Sequence, residues 1–197
     1  MPQVASIVPP VLTCLVGRRL GDPKLSSTAQ FPLRDLAASL IGLIASRYGK
    51  TSQTLKPRLA RTCLKHFLDP NKPLGVHYGA IGGLVAVGGS EAVRVLILPN
   101  LKTYQSVIKD EIEENGPKKG EAEMVLQQIL KSLDTLESDQ AFLSMSNGTS
   151  GHGGDALKDR LIEQVGSLVG TRVAQLGKPT LVRAIIGNES SKINGAS

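Results

Sequence analysis

The sequence predicts an all-α protein, a solenoid of stacked antiparallel helix pairs. Residues 33–38 and 76–81 each open a helix with small residues beside an apolar stripe, and they begin 43 positions apart. That offset is the length of one HEAT-type helix pair, which buries its apolar face only when units stack. The chain has no Trp, three Phe and three Tyr, so Leu, Ile, Val and Ala must supply most of the core. We therefore predict a HEAT-repeat α-solenoid.

The length of 197 residues suits one domain. We expect this HEAT-repeat domain to span residues 1–187, with a flexible internal loop at residues 144–154. That stretch carries Asn-Gly, Ser-Gly and Gly-Gly pairs and almost no charge, which is typical of a surface loop. The Ser-, Asn- and Gly-rich residues 188–197 are predicted to be a disordered tail.

Four helices are predicted in the first 87 residues. The second of them opens at Pro32, which suits a first helical position, and it ends near Gly49. Its predicted core stripe follows helical spacing and consists of Leu33, Leu36, Ala37, Leu40, Ile41 and Ile44. The other three predicted helices cover residues 4–20, residues 55–68 and the glycine-bearing residues 76–87.

Further helices follow a Gly88-Gly89 break. Residues 91–98 and 101–114 form two of them, with Pro99 between. The most regular stripe in the chain comes next, and it consists of Ala122, Val125, Leu126, Ile129, Leu130, Leu133 and Leu136. A single long final helix is predicted from Asp155 to about residue 176.

No motif for catalysis, cofactors or metals stands out. The three histidines lack the spacing of a zinc helix motif, and the glycine-rich residues 151–155 lack the preceding strand and the Gly-Lys-Ser/Thr ending of a phosphate loop. Cys14 and Cys63 lie among apolar neighbours, which favours two reduced core thiols over a disulfide or a reactive role. We expect no enzyme activity, no cofactor, no small-molecule substrate and no membrane partner. The sequence leaves self-association open.

Charge is unevenly distributed. Residues 1–80 hold 11 Lys/Arg against 3 Asp/Glu, whereas residues 81–145 hold 6 against 10. A possible interaction surface in the basic half consists of Arg18, Arg19, Arg58, Arg61 and Lys65, provided that the first and third helices lie on one side of the stack. A solvated helix face is the alternative to a weak contact with the DNA backbone or with an acidic protein, because the aromatic platforms of single-strand binding are missing.

A second set of residues is assigned a structural role between repeats. Charged residues at the start of a helix can hydrogen-bond to a neighbouring unit, and glycines allow close helix contact. The members of this set are Arg34, Asp35, Tyr78, Gly79, Gly82 and Gly83.

Ordered motifs in residues 7–101 resemble a known family. They are Ile7-Val8-Pro9 with Leu12-Thr13-Cys14, the run at residues 33–38, the run His77-Tyr78-Gly79-Ala80-Ile81-Gly82-Gly83-Leu84, and Leu96-Ile97-Leu98-Pro99. The chain thereby resembles the carboxy-terminal HEAT-repeat domain of transcription initiation factor TFIID subunit 6.

The resemblance implies a nuclear, non-enzymatic scaffold subunit of TFIID, and in many lineages of SAGA-type coactivators, that supports initiation by RNA polymerase II through protein contacts. Its implied partners are other TFIID and SAGA subunits, and it carries over no catalytic residues. Two alternatives remain: a HEAT-repeat adaptor of the transport type, and a module that binds the DNA backbone through its basic surface.

Overall fold

The computed structural model describes residues 2–22, 27–143 and 154–187, and helices dominate all three segments. The predicted loop at residues 144–154, apart from its last residue, and the predicted tail at residues 188–197 lie outside the described residues. The prediction of an all-α solenoid is confirmed. The α-helices are α1 Pro2–Val16, α2 Phe31–Tyr48, α3 Leu55–Leu68, α4 Leu74–Ala92, α5 Leu101–Tyr104, α6 Ser106–Glu113, α7 Lys119–Leu143, α8 Gly154–Val165, α9 Ser167–Gln175 and α10 Pro179–Ile186.

The helices form two layers. One layer holds α2, α4, α7 and α10, each of which contacts the next, and the other holds α1, α3, α5 with α6, and α8. Helices α1 with α2, α3 with α4, and α6 with α7 pair across the layers. Because each pair contacts mainly its neighbours, the apolar faces are buried by stacking, as in other helical repeats.

Helix α4 is the centre of the stack, since it contacts α1, α2, α3 and α7. Its first eleven residues are all buried. At Gly89 the backbone takes φ 59° and ψ −149°, which only glycine adopts readily, and the chain then continues through a π-helical turn, Val93–Ile97. The predicted Gly-Gly break therefore appears as a kink.

The predicted core stripe of α2 is partly wrong. Ala37, Ile41 and Ile44 are buried, but Leu33, Leu36 and Leu40 are exposed. The buried face is rotated toward smaller and polar side chains, because α2 approaches α4 closely at Gly42 and because the Arg34 guanidinium has hydrogen-bond partners at the end of α1. The complete buried face consists of Phe31, Arg34, Ala37, Ala38, Ile41, Ile44 and Ala45.

Other predicted helix bounds are also wrong, and residues 101–114 divide into α5 and α6. The first helix ends at Val16 instead of residue 20, and the single long carboxy-terminal helix is broken into α8 and α9. The break lies at Gly166, whose φ of 91° is outside the helical region. The amide of Leu168 then donates to Oε1 of Gln105 at 3.1 Å, which satisfies a free N–H at the start of α9.

Among the described residues, one helical stretch, Leu74–Tyr104, is long and apolar enough by length and composition to cross a membrane. Sequence patterning does not reveal it, because glycines interrupt the apolar run. Half of its most apolar window is buried inside the protein, as expected for the core helix of a stack. A single segment of this kind is weak evidence for a membrane span.

Candidate functional site

Arg34 joins the first two helices. Its side chain is fully buried, and Nη1 donates to the carbonyl of Leu15 at 2.7 Å while Nη2 donates to the carbonyl of Gly17 at 2.8 Å. Gln30 Oε1 accepts from Nε at 3.2 Å and from Nη2 at 2.5 Å. The guanidinium therefore caps the carboxyl end of α1, where carbonyls lack helical partners and the helix dipole favours a cation.

Burial lowers the pKa of Arg34 to about 10, and the guanidinium stays charged at neutral pH. The partners that its hydrogen bonds reach are carbonyl oxygens and an amide oxygen, all of them neutral. The group is held by fixed dipoles, and its planar fork of donors suits several acceptors at once. The guanidinium therefore stabilises the end of α1 at Val16 while it stays charged.

Asp35 and Tyr78 form a second link, from α2 to α4. The Tyr78 hydroxyl lies 2.9 and 3.0 Å from the two carboxylate oxygens of Asp35, and the Tyr78 ring lies 4.6 Å from that of Phe31, centroid to centroid. Burial, followed by the hydrogen bond to Asp35, raises the pKa of Tyr78. The structure therefore brings Arg34, Asp35 and Tyr78 to one joint where α1, α2 and α4 meet.

The glycines of α4 differ in how closely they are approached. A Cβ added at Gly79 would lie 1.9 Å from the carbonyl oxygen of Leu15, and one at Gly83 would lie 2.7 Å from Cys63 Sγ. At Gly82 the nearest atom would be Gln128 Nε2, at 3.1 Å. A backbone carbonyl cannot move aside as the end of a flexible side chain can, so Gly79 tolerates a side chain least of the three glycines.

The five basic residues of the possible interaction surface are all exposed. Arg58, Arg61 and Lys65 share one face of α3 at spacings of three and four, and Arg18 and Arg19 follow the end of α1. Residues of α1 and α3 line one groove of about 380 Å³, and Arg58 is the member of the five that contributes to its lining. Among the residues that the structure describes, no salt bridge involves any of the five.

The buried titratable groups around the α3–α4 turn have structural surroundings. His77 Nδ1 lies 3.2 Å from the carbonyl of Phe67, and its ring stands 5.2 Å from that of Tyr104. Burial lowers the pKa of His77 and raises the pKa of Cys63 to about 12, so both are neutral at pH 7. Cys14 and Cys63 are free thiols. Within the described segments, no group of three or more His, Cys, Asp or Glu side chains could hold a metal ion.

Sequence reasoning missed two features. Gln30 accepts hydrogen bonds from the Arg34 guanidinium, and Gln105 accepts one from the amide of Leu168 at the start of α9; a glutamine in a polar sequence gives no signal of either role. The other feature is the exposed leucine face of α2, which consists of Leu33, Leu36, Leu40 and Leu43. Its regular spacing was visible, but the spacing alone indicates a buried stripe.

Stacked helix pairs whose joints are made by buried side chains define an α-solenoid of the HEAT type. Residues 1–102 match the family described as the TAF6 C-terminal HEAT repeat domain. This match covers more than half of the 197 residues, and the chain belongs to that family.

Three relatives illustrate the match. The chain is 43% identical over 141 residues to the SAGA complex/transcription factor TFIID complex subunit Taf6 of Schizosaccharomyces pombe, an alignment that covers 71% of this chain and 30% of that protein. It is 46% identical over 111 residues to transcription initiation factor TFIID subunit 6 of Arabidopsis thaliana, covering 56% of this chain and 20% of that protein.

The human TAF6-like RNA polymerase II p300/CBP-associated factor-associated factor 65 kDa subunit 6L is 32% identical over 168 residues, which cover 80% of this chain and 26% of that protein. The chain therefore spans less than a third of the length of each of these relatives.

Proposed function

We propose that this chain is a non-enzymatic scaffold that acts in the nucleus as part of TFIID and of a SAGA-type coactivator. In this role it supports initiation by RNA polymerase II through contacts with other subunits. The single observation that carries the proposal is the family match over residues 1–102, together with the 43% identity to a protein named as a subunit of both complexes.

The geometry supports a scaffold role. The link from Arg34 to the end of α1 holds the first helix pair together, and the link from Tyr78 to Asp35 joins that pair to the next, both through directional hydrogen bonds. A solenoid whose joints are fixed presents its surfaces at constant spacing, which suits a protein that holds other subunits in place.

Affinity purification from nuclear extract tests the proposal. The tagged chain should recover TFIID and SAGA subunits, identified by mass spectrometry, above the level of a tagged HEAT-repeat protein of another family. Recovery of transport proteins in their place would support the transport-type adaptor, and recovery of neither class would contradict the scaffold proposal.

A weak contact with the DNA backbone is the second candidate, favoured by the exposed cations Arg58, Arg61 and Lys65 on one face of α3. Contacts of this kind weaken steeply with salt because counterions are released on binding. Arg58→Glu with Arg61→Glu should lower affinity for duplex DNA and flatten its salt dependence, measured at two salt concentrations. Lys102→Glu, an exposed lysine on α5, is the matched control. An unchanged affinity in the double variant removes this candidate.

A further inference from the structure

Helix α2 carries an exposed seam of leucines. Leu33, Leu36, Leu40 and Leu43 follow one another at spacings of three, four and three residues, and 41, 66, 40 and 67% of their respective surfaces are exposed. We call these four residues the leucine seam. Isolated exposed leucines are common, but four in one line along a single helix are a feature that needs an explanation.

The spacing indicates what could cover the leucine seam. Alternation of three and four residues is the spacing at which two helices lie along one another with interlocking side chains. Leu33 to Leu43 spans ten residues of helix, or about 15 Å at 1.5 Å per residue, which is about three turns of a facing helix. Among the described residues, helix α2 packs against its neighbours through its other face, which leaves the leucine seam exposed to a helix from outside the chain.

Charge near the leucine seam indicates the character of that helix. Arg47 follows Leu43 by four residues and continues the same line, and Arg47 and Lys50 are both exposed. Lys56 reaches the same end of α2, since its Cε lies 2.8 Å from the position of a Cβ added at Gly49. Three cations therefore gather at the carboxyl end of the leucine seam.

A second copy of the chain fits this surface poorly. Two copies docked through their leucine seams would bring together two halves that each hold 11 Lys/Arg against 3 Asp/Glu. Like charges across an interface disfavour association, whereas an acidic partner gains from the same field.

We propose that the leucine seam docks an amphipathic α-helix of another protein, with large aliphatic side chains at heptad spacing and acidic side chains over Arg47, Lys50 and Lys56. This deepens the proposed scaffold function, on which it rests, by naming the surface and the kind of segment that it holds. The apolar contact supplies most of the affinity, and the acidic end fixes direction and partner choice.

The probe is a fluorescein-labelled designed helix of 21 residues, with Leu at the heptad a and d positions and four Glu at one end. Fluorescence anisotropy follows its binding to the purified chain. Leu36→Ser with Leu43→Ser should weaken binding about tenfold or more, since these are the two most exposed members of the seam. Val95 is an exposed apolar residue on the π-helical turn, so Val95→Ser is the matched control and should leave binding unchanged.

A charge exchange tests the acidic character. A second peptide carries Lys in place of the four Glu and should bind the native chain less tightly than the Glu peptide. Arg47→Glu with Lys50→Glu should reverse that order of affinity. Circular dichroism of each variant checks that helix content is retained, as expected for substitutions at exposed positions.

Several results would overturn this inference. They are absence of binding by the Glu peptide, equal binding to the native chain and the Ser variant, and equal binding of both peptides to the native chain. A native dimer in sedimentation velocity that the Ser variant abolishes would show that a second copy covers the seam. Recovery of TFIID subunits is a separate readout: if the Ser variant recovers all of them, the docking surface is refuted while the scaffold function stands.

Discussion

Replacing Arg34 by Ala tests whether its side chain holds α1 to α2. The substitution removes hydrogen bonds of 2.7 Å to the carbonyl of Leu15 and 2.8 Å to the carbonyl of Gly17. Hydrogen bonds to a charged group contribute about 1.5–3 kcal/mol each, and together these two contribute about 3–6 kcal/mol. Removing a buried charge also recovers part of its desolvation cost. We therefore expect the free energy of unfolding to fall by about 2–4 kcal/mol.

Urea unfolding followed by circular dichroism at 222 nm measures this loss as a lower midpoint with an unchanged slope. Arg47→Ala is the matched control, because Arg47 is an exposed arginine on the same helix, and it should change stability by less than about 0.5 kcal/mol. If Arg34→Ala prevents folding, Gln30→Ala offers a milder change, since Gln30 accepts two of the arginine's hydrogen bonds.

Arg34→Lys separates charge from geometry. Lysine retains the positive charge but lacks the planar fork that reaches two carbonyls and an amide oxygen at once. It should recover less than half of the loss caused by Arg34→Ala. A loss for Arg34→Ala no greater than that for Arg47→Ala would refute the argument, because the carbonyls at the end of α1 would then be satisfied without the guanidinium.

Two further predictions concern α4. Gly79→Ala should destabilise the protein by about 3 kcal/mol or more in thermal or urea unfolding, because its Cβ would lie 1.9 Å from the backbone carbonyl of Leu15. Gly82→Ala should destabilise it by less than about 1 kcal/mol. Equal effects of the two substitutions would contradict this steric ranking. Burial lowers the pKa of His77 below its usual 6.5, so between those two values the unfolded chain binds a proton that the folded chain does not. Stability should therefore fall as pH drops below about 6.5, by at most about 1.4 kcal/mol per pH unit. His77→Gln should flatten this slope in urea titrations from pH 7 to 5 more than His66→Gln does, because His77 is fully buried and His66 only partly.

Helix α7 shows where sequence patterning suffices. All seven apolar residues of its predicted stripe are buried. Lys, Glu and Gln occupy much of the rest of that helix, so it offers a single apolar face, and amphipathic spacing alone identifies the core side.

Helix α2 shows where patterning fails. It has two apolar faces, one of alanines with Phe31, Ile41 and Ile44, the other of four leucines, and spacing cannot decide between them. The decision comes from outside the helix, because two of the hydrogen-bond partners of Arg34 lie at the end of α1, 17 to 19 residues away in sequence. From sequence alone a charged residue is predicted to lie on the surface, because the carbonyl acceptors that allow its burial are known only from the folded structure.

The break at Gly166 has a similar origin. Its neighbours continue the helical spacing, and glycine inside a helix is tolerated at a cost of about 1 kcal/mol, which makes one long helix a reasonable prediction. What ends α8 is the positive φ of Gly166 together with the side chain of Gln105, which accepts the hydrogen bond of Leu168. Gln105 and Leu168 are more than 60 positions apart, and local sequence patterning cannot predict a contact between them.

The error on α2 is informative about function. Where local patterning and the folded structure disagree, a functional or strained site is the expected cause. Burying the small-residue face lets α2 approach α4, with Gly42 against Ala86, at the cost of leaving the larger leucines in water. Exposing four leucines in register lowers the solubility of an isolated chain, and a serine or glutamate at Leu36 and Leu43 would relieve it without touching the core. The four exposed leucines are explained if another helix covers them in the assembled state, and binding of the designed peptides tests this explanation.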